Sequence, residues 1–232
     1  MLIGTKAKLH RFDSVKININ GVKLEIVTEC KYLGVLLDEN LSWKAQINQV
    51  RNKAIRNLHL LKRTRSFIDH NTALLVYKTL IQPHFDYCSI TWMNGNSSDL
   101  KRLQTLQNRA LRIVLGVDAQ YNRETLYKTL KMDRLTDRWK KQSVTLIYKA
   151  IHNLLPETLC SRIELRKSPY HFRNIDTSVK LPIPRTNFLK RSPFYSAAKL
   201  FNDLPNNIRI INNLSSFVKA IQTINHTVTI IS

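Results

Sequence analysis

The chain has 232 residues, with 37 Lys+Arg against 16 Asp+Glu and a formal net charge of +21. At 43% hydrophobic, with five Gly and seven Pro, it holds enough apolar material for a real core and is composed like neither a disordered nor a fibrous chain. Cys30, Cys88 and Cys160 are too few and too far apart for a disulfide framework, which points to a reducing, intracellular setting. No apolar run is long enough to cross a bilayer, so no membrane partner is expected, and Lys6 and Lys8 interrupt any signal-peptide-like apolar stretch.

The charge is uneven. Residues 1–40 hold six basic and five acidic side chains, so a net +20 falls on the remaining 192. A field of that sign favours a polyanion, and nucleic acid is the expected partner.

In chain order, residues 1–40 read as β structure. Val15–Ile19 and Val22–Val27 alternate with period two around Asn20-Gly21, a two-residue turn whose central positions favour positive φ. Tyr32–Leu37 reads as one apolar strand that wants cover on both faces, and Met1–Ile3 is a further candidate strand. Asp38-Glu39 reads as an exposed turn pair. From Ser42 the period becomes helical: Trp43, Ile47, Val50, Ala54, Leu58 and Leu61 form one apolar stripe. Lys44, Arg51 and Lys62 lie on one flank of it, and Arg56 and Arg63 on the outer face.

A second helix begins after Asp69 as N-cap, carries Leu74, Leu75, Tyr77, Leu80 and Ile81, and is kinked or ended by Pro83. A third runs from about Asp99 to Leu115, with Gly116 as its stop. Its polar face gathers Lys101, Thr105, Asn108, Arg109 and Arg112, and its wide apolar face predicts two packing neighbours. A short helix is predicted over Arg123–Leu130 and a long one over about Asp133–Asn153. The long helix has Leu135, Trp139, Leu146 and Ala150 on its apolar side and Arg134, Arg138 and Lys141 on a basic one. Residues 156–193 read as irregular, followed by short helices around "FYSAAKLFNDLP" and Leu214–Ile224.

Chemistry-bearing motifs are missing from this pattern. No P-loop, Rossmann glycine signature or nucleophile elbow occurs. His84 and Cys88 stand four apart without a second ligand pair, so no metal is assigned. No carboxylates gather as a two-metal polymerase or nuclease centre requires. Neither catalytic residues nor a cofactor are therefore expected.

The order of five segments carries a resemblance: "KYLGVLLDENLSW", "LIQPHFDYCSITW", "LKRLQTLQNRALRIVLG", "IYKAIHNLLPETL", and "FYSAAKLFNDLPNNIR" followed by "SFVKAI". Together they resemble the region downstream of the polymerase core in non-LTR, LINE-type, Jockey-like retrotransposon reverse transcriptases. The resemblance implies that Lys31, Tyr32, Leu33 and Gly34 stand in the primer-grip region at the end of the palm, and that the following helices form a thumb. The family's aromatic-Ala-Asp-Asp turn does not occur in the sequence.

The resulting expectation is a mainly α chain with a small N-terminal antiparallel β element, an α+β helical thumb-like bundle followed by an irregular tail with short helices. The divisions are a residual palm element over 1–40, a thumb-like bundle over 41–116, and a basic helical or irregular tail over 117–232. The expected function is that of a nucleic-acid-binding C-terminal fragment of an RNA-directed DNA polymerase, not an enzyme by itself, resident in the nucleus as the resemblance implies. The binding residues would be Lys44, Arg51, Lys62, Lys101, Arg109, Arg112, Arg134, Arg138 and Lys141, acting on RNA, DNA or hybrid duplex. The missing palm on another chain is a further expected partner. The alternative is a non-enzymatic helical interaction protein whose N-terminal strands dock on a partner.

Overall fold

The computed structural model describes residues 1–9, 17–166 and 177–224. Val15 and Lys16 of the expected first strand lie outside the described residues. The chain divides into two compact units, Met1–Met132 and Asp133–Ser232. Its fold is mainly α with two small antiparallel strand pairs near the N-terminus, as the sequence predicts.

Met1–Ile3 form no strand, contrary to the expectation, and the first element of this unit is a one-turn helix α1 (Lys6–Leu9). Strands β1 (Asn18–Ile19) and β2 (Val22–Lys23) pair around Asn20-Gly21, both at positive φ as the turn requires. All five apolar side chains from Ile17 to Ile26 in this hairpin region are exposed. Strands β3 (Glu29–Tyr32) and β4 (Val35–Asp38) form a second antiparallel pair in the register Glu29–Asp38 and Tyr32–Val35. The single strand expected over Tyr32–Leu37 is therefore two strands. The chain reverses at Leu33 and Gly34, whose φ values are 45° and 85°. A leucine in the left-handed region is costly, and periodicity alone gave no sign of a turn there.

The stretch after β4 is organised by Asp38. Its Oδ1 accepts from the backbone N–H groups of Asn40 and Ser42, and its Oδ2 from the Ser42 hydroxyl and the Trp43 N–H, over 2.9–3.2 Å. Asp38 is buried, not the exposed turn residue that its acidic neighbour suggests. This carboxylate fixes the turn that leads into α2 (Lys44–Thr64), while Gln46 on the first turn of α2 accepts from the Leu36 N–H at 2.9 Å.

Helix α2 buries Ile47, Val50, Ala54, Leu58 and Leu61, the predicted stripe except for Trp43, which sits half-buried just before the helix at φ 65°. A 3-10 turn (Arg65–Phe67) ends it. Helix α3 (His70–Val76) is capped by Asp69, whose carboxylate accepts from the N–H groups of Asn71 and Thr72. A π turn (Tyr77–Ile81) and α4 (Gln82–Asp86) continue the same rod. The wider π winding makes Ala73, Tyr77, Ile81 and Phe85 one buried line, four residues apart. Leu75, about half a turn from both Ala73 and Tyr77, faces solvent, and so does Leu80. Pro83 does not end the rod; it enters at the start of α4.

Helix α5 (Ser89–Trp92) seats the fully buried Trp92. Helix α6 (Ser97–Leu115) starts at Asn96, whose side chain accepts from the Ser98 N–H, and stops at Gly116 at φ 71°. It packs against α2, α3, the π turn and α7 (Arg123–Leu130), more than the two neighbours its wide apolar face predicts. A polar knot crosses this packing. The Tyr127 hydroxyl donates toward Asn108 Oδ1 (2.6 Å) and Gln107 Oε1 (2.9 Å), and Gln104 Nε2 donates to the Tyr127 oxygen at 2.6 Å. Asn108 is thus buried, not part of the solvent face. Satisfied polar groups of this kind impose one register on helices that apolar contact alone would let slide.

The second unit is built on α8 (Leu135–Ile151), against which α11 (Pro193–Asn202) and α13 (Leu214–Ile224) pack. Short helices α9 (Glu157–Cys160), α10 (Asn187–Lys190) and α12 (Asn206–Arg209) interrupt the irregular parts. Its core gathers Val144, Ile147, Tyr148, Ala198, Phe201 and Phe217, with the Tyr148 and Phe217 rings stacked at 4.0 Å. The buried line of α8 therefore runs through Val144, Ile147 and Tyr148, while Trp139 and Leu146 are half-buried. The side-chain amide of Asn202 both accepts from the Val179 N–H (2.8 Å) and donates to the Val179 carbonyl (2.9 Å), pinning the extended segment as a strand partner would.

Candidate nucleic-acid interface

The tip of the β3–β4 hairpin presents the residues of the expected primer-grip region. Lys31 is exposed, and Tyr32 and Leu33 are 65% and 75% exposed. The strained turn is held from behind: the Tyr87 hydroxyl donates to the Leu33 carbonyl at 2.6 Å. The Tyr87 ring also lies where a Cβ on Gly34 would make ordinary contact, at 3.5 Å. Tyr87 was not singled out in the sequence, because its partner lies 54 positions away and leaves no local signal.

Helix α2 carries six basic residues and no acidic one in 21 positions. Lys44, Arg51, Lys53, Arg56, Lys62 and Arg63 are all exposed. Spacings of seven and eleven put Lys44, Arg51 and Lys62 on one line along the helix, beside the face that packs on α6. On α6, Lys101 and Arg109 are exposed. Arg112 is half-buried and turns its Nη2 to the Tyr121 carbonyl at 3.3 Å. Arg102 pairs with Asp99 at 3.4 Å.

Arg65 is a cation put to a different use. Its Nε lies 3.0 Å and 3.1 Å from the carbonyls of Ile113 and Val114, and its Nη1 donates to the Ile68 carbonyl at 2.8 Å. A guanidinium at the C-terminal end of α6 meets the last carbonyls of the helix, where that of Ile113 also accepts from the Gly116 N–H, and the negative end of its dipole.

Lys53 faces a second polar joint. Asn57 Nδ2 donates to the Leu80 carbonyl at 2.6 Å and lies 3.2 Å from His84 Nε2. Burial, with the charge of Lys53 adding to it, holds the His84 pKa below the usual histidine value. Among the described residues, no three His, Cys, Asp or Glu come together as metal ligands would.

In the second unit, Arg134, Arg138 and Lys141 share one side of the start of α8. Arg134 is exposed and Arg138 half-buried. Lys141 is tied to Asp133, its ammonium 2.9 Å and 2.8 Å from the two carboxylate oxygens. The neighbouring Asp137 has its pKa raised by burial, opposed by Lys140 and Arg134.

Three curated relatives bear on this arrangement. Over 116 residues the chain is 29% identical to the "Probable RNA-directed DNA polymerase from transposon X-element" of Drosophila melanogaster, covering 49% of the chain and 13% of that protein. Over 157 residues it is 24% identical to the "RNA-directed DNA polymerase from mobile element jockey" of Drosophila funebris, covering 65% of the chain and 17% of that protein. The "Probable RNA-directed DNA polymerase from transposon BS" of Drosophila melanogaster is 24% identical over 53% of the chain and 14% of its own length. The similarity is to the reverse transcriptases of non-LTR mobile elements. The chain matches about a sixth or less of the length of these reverse transcriptases. No family model matches it, and no solved structure does.

These matches correct one expectation. The sequence reading made the chain a non-enzyme, whereas the relatives that it matches are named as RNA-directed DNA polymerases, which are enzymes. No helix among the described residues is long and apolar enough to cross a membrane.

Proposed function

We propose that this chain is the nucleic-acid-holding part of a retroelement RNA-directed DNA polymerase, and that it grips template–primer by its phosphates. One observation carries the reading: α2 exposes six cations and no carboxylate along its whole length, and α6 packs beside it with Lys101 and Arg109 outward. Lys44 and Lys62 are about 27 Å apart along the helix axis at 1.5 Å per residue. That reach lets the line of Lys44, Arg51 and Lys62 follow several phosphates. Phosphate contacts of this kind position a duplex without reading its sequence.

Arg112, Arg134, Arg138 and Lys141 belong to the same proposal. Lys141 then contributes through what remains of its charge after Asp133, and Arg112 through a guanidinium already leaning on Tyr121. The hairpin tip of Lys31, Tyr32, Leu33 and Gly34 contacts the primer strand in this reading. Completion of the β1–β2 hairpin by further palm strands is supported by the exposure of Ile17, Ile19, Val22, Leu24 and Ile26. Nuclear residence is part of the proposal, and a tagged chain confined to the cytoplasm would remove that part.

The test is the affinity for an RNA–DNA hybrid across a series of KCl concentrations. Counterion release gives a slope of roughly −0.9 per neutralised phosphate for a B-type duplex. Steep salt dependence supports phosphate gripping. Affinity that ignores salt would instead support apolar docking of the N-terminal strands on a protein partner.

A further inference from the structure

We propose that Phe67 is a stacking platform for an unpaired base, so that the strand bound along the outer face of α2 is single-stranded. This rests on the nucleic-acid reading above and adds to it the class of strand. Phe67 is 86% exposed, at the last position of the 3-10 turn that ends α2. Scattered exposed apolar residues are ordinary on protein surfaces. Two further features set this one apart.

First, the turn that presents the ring is anchored. Arg65, two residues earlier, is held by the carbonyls of Ile113 and Val114 and itself holds the carbonyl of Ile68, the residue after Phe67. Asp69 then caps α3. The backbone on both sides of Phe67 is thus fixed, and only its two side-chain torsions remain to be ordered when a base lands on it.

Second, the ring ends a line in which cations are interleaved with apolar side chains. Lys53, Arg56, Leu60, Arg63 and Phe67 follow one another at spacings of three and four, and all are exposed. A single strand offers phosphates and unstacked bases in alternation, which matches cations interleaved with apolar surface. A duplex hides the faces of its bases, so an exposed ring beside it gains nothing except at an end. Asp69 is the nearest carboxylate in sequence, and its oxygens are taken by the N–H groups of Asn71 and Thr72.

The experiment compares the full chain with Phe67→Ala and Phe67→Trp, using oligouridylate as the single-stranded probe and a blunt duplex of equal length as the control. Because the ring is exposed, the melting temperature of both variants should equal that of the parent chain. Phe67→Ala should weaken single-strand binding by roughly 5- to 150-fold, the range expected for one lost base–aromatic stack. The salt slope and the duplex affinity should stay unchanged, and Phe67→Trp should restore single-strand affinity. Unaltered single-strand affinity in Phe67→Ala, with the parent chain binding both probes, would overturn the stacking role alone and leave phosphate gripping in place. An equal loss on both probes would also overturn it. A parent chain that binds neither probe removes the nucleic-acid reading, and the platform with it.

Discussion

The hydroxyl of Tyr87 donates to the carbonyl of Leu33 over 2.6 Å, tying the strained tip of one hairpin to the end of a helical rod 54 residues later. Two successive positive-φ residues, one of them a leucine, are held by this bond. Tyr87→Phe removes the donor and keeps the ring beside Gly34. It should cost about 0.5–1 kcal/mol, since the bond is partly solvated. Amide exchange at Tyr32–Val35 should rise more than exchange in α2. An unchanged exchange pattern would show that the turn holds itself.

Arg65 is the second clamp. Arg65→Met keeps most of the side-chain volume and loses the contacts to Ile113, Val114 and Ile68. Hydrogen bonds involving a charged group are worth about 1.5–3 kcal/mol each, with part regained from water at this half-buried site. A loss of about 2–3 kcal/mol is expected in denaturant unfolding. Arg65→Lys should recover only a fraction, because an ammonium cannot span the same carbonyls. Full recovery by lysine would reduce the role of Arg65 to its charge.

Stability should depend on pH through His84. Its folded pKa lies below the usual 6.5, with burial the larger cause and Lys53 the smaller. The unfolded chain therefore takes up a proton more readily. The contribution of His84 is fully present above about 6.5 and is lost as pH falls below it toward the folded value. Protonation also places a donor at Nε2 opposite the Asn57 amide. His84→Gln should flatten the fall in the urea midpoint between neutral and mildly acidic pH. A fall of the same size in that variant would assign it to other groups.

Hydrogen exchange should separate the N-terminal strands from the helices. Strands β1 and β2 are two residues each and carry no buried side chain, so their amides should exchange almost at the unfolded rate. Amides of α2 and α6 around Leu58, Leu61, Leu103 and Leu111 should be the most protected, since these side chains are fully buried. Strong protection of Ile19 and Val22 in a monomer would contradict the exposed hairpin.

Much of this was legible in the sequence where local pattern decides. The stripe from Ile47 to Leu61, the cap at Asp69, the stop at Gly116 and the helices at Arg123–Leu130 and Leu214–Ile224 stand where periodicity and capping put them. What failed was non-local. Leu33 takes positive φ in a two-residue turn whose one local signal is Gly34, while the Tyr87 hydroxyl that meets its carbonyl comes from 54 positions away. Asp38 and Asn108 look like surface polar residues, and each is buried by partners that only folding supplies. Leu75 and Leu80 face solvent beside the buried Tyr77 and Ile81, a division that apolar character alone does not draw, and the π turn at Tyr77–Ile81 has no 3.6-residue signature. Of the proposed contact residues, those on α2 are outward as their spacing implies, while Lys141 is engaged by Asp133.

The central claim is that the line of Lys44, Arg51 and Lys62 holds nucleic-acid phosphates. The decisive measurement is the salt dependence of binding to an RNA–DNA hybrid for the parent chain and for the triple alanine variant of these residues. Their side chains are exposed, so the variant should melt as the parent does. The slope of log affinity against log salt should shallow by about 2–3, close to one unit per lost phosphate contact, and by the same amount for hybrids of unrelated sequence. An unchanged slope with unchanged affinity would contradict the claim and leave these cations as a solvated face.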